Sequence, residues 1–179
     1  MTIVGSGDYR YEAVPSWPNM PRYWSFAEAS DAAVNSRDEV HIFSRGDHPL
    51  TIWDPEGNLI SSWGEGTFSA NPHGIYIAPN DNVWLVDRNN HQVMKFTADG
   101  QPLMTIGAKG FRSDTGVAPD DVSSTAFQSV THGGDPFNMP AGIAFNPEGE
   151  IFIADGYANA RVHKFSADGQ HLLSWGEPG

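Results

Sequence analysis

With 179 residues, 39% of them hydrophobic and 18% charged, the chain is long enough for one ordinary domain with a core and too apolar to be disordered. A net charge of −12 at pH 7 repels phosphate backbones, so no nucleic-acid partner is expected. The absence of cysteine excludes disulfides, thiolate metal sites and a cysteine nucleophile.

The opening stretch MTIVGSGDYRYEAVPSW has neither a basic start nor a long apolar run, so no signal peptide is visible. No apolar run approaches the roughly 20 residues of a membrane helix. A soluble protein with no membrane partner is expected, the cytoplasm being favoured. Residues 1–30 read as an N-terminal segment. After them, short runs of strand character alternate with turn residues. AAV, VHIFS, LTIWD and LISSWG form a first unit over 31–66, and GIYIA, VWLVD, QVMKFT and PLMTIG a second over 67–107. An insertion, expected as a rim loop, fills 108–138, and GIAF, IFIAD, ARVHKFS and HLLSWG make a third unit over 139–179.

The units end alike, in DPEGNLISSWGEG, TADGQPLMTIGAKG and SADGQHLLSWGEPG. Gly57, Gly100 and Gly169 mark the same place in each, 43 and then 69 residues apart, the 26 extra residues belonging to the insertion. Alternation joined by Asp-Gly or Glu-Gly turns is a repeated hairpin signal. Four strands per roughly 40–45 residues point to β-propeller blades. No segment sustains a period of 3.6, so helices should be few. The expected class is all-β, a propeller with three four-stranded blades in this chain. Propellers typically have about four to eight blades, so three cannot close a ring and the chain is expected to be part of a larger propeller or to close one with a copy of itself. Missing blades or a second copy would then cover the open strand edges.

An up-and-down blade fixes which loops share a face. His73 opens the innermost strand of the second unit, where the neighbouring units have Ser30 and Ala141. Arg45 lies in the loop between the second and third strands of the first unit, and Tyr157 in the same loop of the third. By parity these three residues and the insertion fall on one rim, with His73 nearest the axis. An imidazole, a cation and a phenol around a central funnel could form an active site. Each also has a plainer reading: His73 as a strand-end histidine bonded to backbone, Arg45 as a surface partner of Asp47, and Tyr157 as a packing aromatic with a wet hydroxyl. His163 reads as an alternating position on a strand, and His91 merely follows a turn. No HExxH, P-loop, GxSxG or EF-hand pattern occurs.

On the stretches IFSRGDH (42–48), NPHGIYI (71–77), NVWLVDRNNHQVMKF (82–96) and IFIADGYANARVHKFSADGQ (151–170), the chain resembles the NHL-repeat family. Within it, the chain is most similar to the peptidyl-α-hydroxyglycine α-amidating lyases and their bacterial relatives. The resemblance runs from about Ala32 to Gly179, and Asp-Gly-Tyr-x-Asn-x-Arg after a strand is its most specific part. It implies a six-bladed propeller that cleaves a peptidyl-α-hydroxyglycine into a peptide amide and glyoxylate. An axial zinc held by three histidines in Pro-His motifs and a calcium bound partly by inner-strand carbonyls are implied with it. His73 would then be a zinc ligand, and the carbonyls of Ile75 and Ala32 would face calcium. Tyr157 would be the catalytic base and Arg45 a substrate-binding arginine. A phenolate needs a nearby cation to exist near neutral pH.

His73 alone cannot build a three-ligand zinc site, and two copies would bring only two axial histidines. The chain by itself is therefore expected to be inactive and to hold zinc poorly. A different class of reading is a non-catalytic NHL scaffold that binds peptide or protein on its top rim and needs neither zinc nor Tyr157. A lactonase-like hydrolase would want a Glu near the start of an innermost strand, where this chain has His73.

Overall fold

A computed structural model describes residues 2–179. The chain opens with a hairpin, β1 (Thr2–Ser6) and β2 (Tyr9–Ala13), whose every residue is exposed. Blade 1 comprises β3 (Ala29–Val34), β4 (Val40–Ser44), β5 (Leu50–Trp53) and β6 (Leu59–Trp63). Blade 2 comprises β7 (Pro72–Ile77), β8 (Val83–Asp87), β9 (Gln92–Phe96) and β10 (Pro102–Ile106). Blade 3 comprises β11 (Gly142–Phe145), β12 (Ile151–Asp155), β13 (Arg161–Phe165) and β14 (His171–Trp175). Each blade is an antiparallel sheet paired in chain order, and β3, β7 and β11 lie side by side as the innermost strands. Among the described residues, helix is confined to one 3-10 turn, Ala126–Ser129, in the insertion. Among the same residues, no helix is long and apolar enough to cross a membrane.

The repeated glycines have a conformational cause. Gly57, Gly100 and Gly169 close the turn before each outermost strand at φ of +83°, +86° and +84°, a region that favours glycine. The blades stack because strand side chains alternate between faces. On β8, Val83 and Leu85 join Phe43, Leu50 and Ile75 in the seam between blades 1 and 2. Trp84 and Val86 face the other way, meeting Phe137, Ile151, Ile153 and Phe165 in the seam between blades 2 and 3. All five residues of β8 are therefore buried, which is why VWLVD carries no polar residue before Asp87.

The sequence pattern does not anticipate the N-terminal hairpin or the order of the insertion. The insertion has a small core of its own, Val117, Ala126 and Val130 against Met139 and Ala158, with Tyr157 packed on it. Those apolar residues follow no regular period, so they leave no helix or strand signal.

Candidate functional site

His73 is the residue passed over in the β7–β8 register, which steps from Pro72↔Asp87 to Gly74↔Val86. A bulge of this kind re-aims a side chain off the ladder. Blade 1 has the same irregularity between Ala29 and Asp31, and there Ser30 spends its hydroxyl on the Phe43 carbonyl at 3.0 Å. The re-aimed His73 ring crosses the seam to blade 3. Its Nδ1–H donates to the Ala141 carbonyl at 2.9 Å, which leaves Nε2 with its lone pair to accept from the Tyr157 hydroxyl at 3.2 Å. Gly74 permits this approach, because a Cβ there would lie 2.7 Å from the Ala141 oxygen.

Tyr157 sits on the loop after β12, and the rest of its motif is bracing. Buried Asp155 accepts from the Asn138 amide at 2.8 Å and from Asn159 Nδ2 at 2.7 Å. Asn159 also bonds both backbone groups of Gly134, each at 2.7 Å. Thr115 Oγ1 donates to the Ala158 carbonyl at 2.6 Å. The insertion thus clamps the residues on both sides of Tyr157.

Arg88 belongs to the site although no sequence signal singled it out. Its guanidinium carbon lies 4.2 Å from the Tyr157 ring centroid, a cation–π contact. It also donates to the Val122 and Ser123 carbonyls of the insertion at 2.7 and 2.9 Å. Arg45 pairs with Glu28, 17 residues earlier, and not with its sequence neighbour Asp47. Asp47 stands only two positions away, but the fold lays the Glu28 strand entry across the loop, where the Arg45 amide also bonds the Glu28 carbonyl at 2.9 Å. The charges of Arg45 and Arg88 both reach His73. Burial, aided by those two cations, holds its imidazole below the ordinary histidine range, against the opposing hydrogen bond it donates to the Ala141 carbonyl and the charge of Asp31. Burial likewise lowers the Arg88 guanidinium. Beside this site, Phe127 and Ser124 of the insertion bound an open recess of about 300 Å³ with Ala141 and Tyr157.

The calcium expectation rests on two backbone carbonyls. Asp31 accepts from the Ile75 amide at 3.0 Å through Oδ2 and from the Ala32 amide at 2.9 Å through Oδ1. A strand residue points its N–H and C=O to the same side. The carbonyls of Ile75 and Ala32 therefore turn away from β8 and β4, beside a carboxylate that joins blades 1 and 2. That set of hard oxygen donors fits calcium. His73 fits one position of a zinc site, with its tautomer fixed by a backbone acceptor and Nε2 free of the ladder. Among the described residues it belongs to no group of three metal-ligating side chains.

The sheets and the comparisons define the class together. The NHL repeat model matches residues 70–96 and 137–165. Virginiamycin B lyase from Staphylococcus aureus superposes with a TM-score of 0.57 at 15% identity, over 87% of this chain and 43% of that one, a likeness of fold. The chain is thus an NHL-repeat β-propeller with three blades. More particularly, it resembles the peptidyl-α-hydroxyglycine α-amidating lyases. Lyase 2 of Drosophila melanogaster is 37% identical over 165 residues, 88% of this chain and 34% of that protein. Lyase 1 of the same organism is 37% identical over 131 residues, 72% of this chain and 20% of the relative. A probable lyase of this kind from Caenorhabditis elegans is 32% identical over 149 residues, 83% of this chain and 36% of the relative. The chain spans about a third or less of the length of these relatives.

Proposed function

We propose that this chain carries part of the active site of a lyase that splits a peptidyl-α-hydroxyglycine into the peptide amide and glyoxylate. The observation that carries it is the 3.2 Å contact between His73 and Tyr157 across the seam of blades 2 and 3. The names of the relatives support the same reaction.

The reaction needs no co-reactant. The α-hydroxyl proton leaves, the oxygen becomes the aldehyde carbonyl, the C–N bond breaks, and a proton returns to the amide nitrogen. Tyr157 is placed to take the first proton, the phenol acting as base when ionised, with the Arg88 guanidinium on its ring as the neighbouring positive charge. Arg45 is the candidate for holding the substrate carboxylate, a task that suits a planar guanidinium. His73 would supply one zinc ligand through Nε2, releasing the Tyr157 hydroxyl from its hydrogen bond, and the remaining ligands would come from further blades or from a second copy. Zinc, when bound there, polarises the α-hydroxyl and eases loss of its proton. The carbonyls of Ala32 and Ile75, with Asp31, would hold a structural calcium that ties blade 1 to blade 2.

Glyoxylate release from an α-hydroxyglycine-extended peptide, measured on the protein with its remaining blades in place, tests this reading. Tyr157→Phe should slow release by about 10²- to 10⁴-fold with the melting temperature nearly unchanged. A rate equal to that of the parent in a folded variant would remove Tyr157 from the chemistry, and the scaffold reading would replace the lyase.

A further inference from the structure

A second group of imidazoles lies on the outer edge of blade 3, far along the sheet from the axial strands. His163 on β13 faces Ser174 on β14 in direct register, and its Nδ1 is 2.7 Å from Ser174 Oγ. His171 Nε2 is also 2.7 Å from that oxygen, and Asp135 Oδ1 of the insertion is 2.9 Å from it. Asp135 Oδ1 is in turn 3.2 Å from His163 Nδ1. In a regular strand, residues 171 and 174 would point to opposite faces. The β13–β14 register slips between Lys164 and Phe165, and this bulge brings His171 round to the face of His163 and Ser174. At the corresponding register positions, blade 1 has Thr51, Leu59 and Ser62, and blade 2 has Met94, Pro102 and Thr105. Two imidazoles meet here in blade 3 alone.

The proton count leaves this group short of positive charge. Ser174 has one hydroxyl hydrogen and three acceptor-capable neighbours within 2.9 Å. On its far side, His163 Nε2 faces Asp155 Oδ2 at 3.3 Å, both residues being fully buried. Donation from Nε2 to that carboxylate leaves Nδ1 as a bare lone pair aimed at Asp135 and Ser174. A carboxylate behind an imidazole is the usual support of a metal-bound histidine. Among the described residues, the ion-pair partner of Asp135 is His163, and no lysine or arginine reaches it. One ligand atom from each of Asp135, His163 and His171 lies within 4.8 Å of the other two. Asp135 and His171 are exposed, so the group is open to solvent for entry and for a water ligand.

We propose that Asp135, His163 and His171 form a zinc site, with Ser174 beside it, that clips the end of the insertion to the two outer strands of blade 3. Two imidazoles and one carboxylate suit zinc and not calcium or magnesium. The site draws only on blade 3 and the adjoining end of the insertion, and does not depend on the lyase reading.

The test is titration of untagged protein carrying His73→Ala, which silences the axial imidazole. One equivalent of zinc should bind and raise the melting temperature, and cobalt(II) should give the visible absorption of a low-coordinate site that zinc then displaces. His171→Ala and Asp135→Asn, both at exposed positions, should each weaken zinc binding by about tenfold or more. The proposal is overturned if the His73→Ala protein binds no zinc, or if its zinc affinity and cobalt spectrum are unchanged by His171→Ala and Asp135→Asn.

Discussion

His73 and His163 are built on one plan, the first on the innermost strand of blade 2 and the second on the third strand of blade 3. Each has one ring nitrogen held by a fixed oxygen, the Ala141 carbonyl for His73 and the Asp155 carboxylate for His163. Each turns the other nitrogen to a hydroxyl, Tyr157 in one case and Ser174 in the other. They differ in what holds the partners together. His73 reaches across a seam, so its site exists only while blades 2 and 3 stay registered. His163 draws its partners from two paired strands and the adjoining end of the insertion. Fixing a tautomer is a local matter, whereas bringing two side chains together from different sheets depends on the packing between them.

The largest expected effect comes from acid, which should attack the seam first. A third imidazole, His91, lies buried there and accepts from the Met139 amide at 3.0 Å through Nδ1. Burial, with the charge of Arg112 adding to it, lowers its pKa to about 4. The fold therefore favours the neutral ring, while the unfolded chain takes up its proton near the ordinary 6.5. Stability from this residue is full above about pH 6.5 and is lost as pH falls towards 4, about 3 kcal/mol in all. His41 and His73 are shifted in the same direction and add to the loss. Denaturant unfolding at a series of pH values checks this, and His91→Asn should flatten the curve. Asparagine tolerates the φ of +57° at that position and can still accept a hydrogen bond.

Gly74→Ala should come next. Its Cβ would meet the Ala141 oxygen at 2.7 Å, forcing blades 2 and 3 apart where His73 crosses. A loss of about 2 kcal/mol in unfolding free energy is expected, with no change in zinc binding at blade 3. Thr115→Val probes the clamp on the Tyr157 loop without touching the seam. It removes the bond to the Ala158 carbonyl and the acceptor for Asn138, at a cost of about 1 kcal/mol. Tyr9→Ser, on the exposed hairpin, should change the melting free energy by less than about 0.5 kcal/mol.

Much of the fold is legible in the sequence because period-two alternation and positively twisted turn glycines are local. All twelve blade strands lie where the alternating runs stand, and β8 reads VWLVD because two seams bury it from both sides. The candidate site is legible only where a residue's role follows from its place in the repeat. Parity puts His73 and Tyr157 on one rim, and the structure sets them in contact. Arg88 is hidden because its partners are carbonyls of an insertion with no regular pattern. His163 and His171 are hidden because a bulge cancels the parity that would assign them to opposite faces. Arg45 misleads for a related reason, since proximity in sequence to Asp47 says nothing about the Glu28 backbone laid beside it.

The claim on which the rest depends is that the His73 ring bridges blades 2 and 3, donating from Nδ1 and accepting from Tyr157 at Nε2. Long-range nitrogen–proton NMR of the imidazole at neutral pH reads this directly. The account predicts a neutral ring protonated at Nδ1, whose Nε2 resonance moves when Tyr157 is replaced by phenylalanine. A ring protonated at Nε2, or an Nε2 resonance indifferent to Tyr157→Phe, would contradict it.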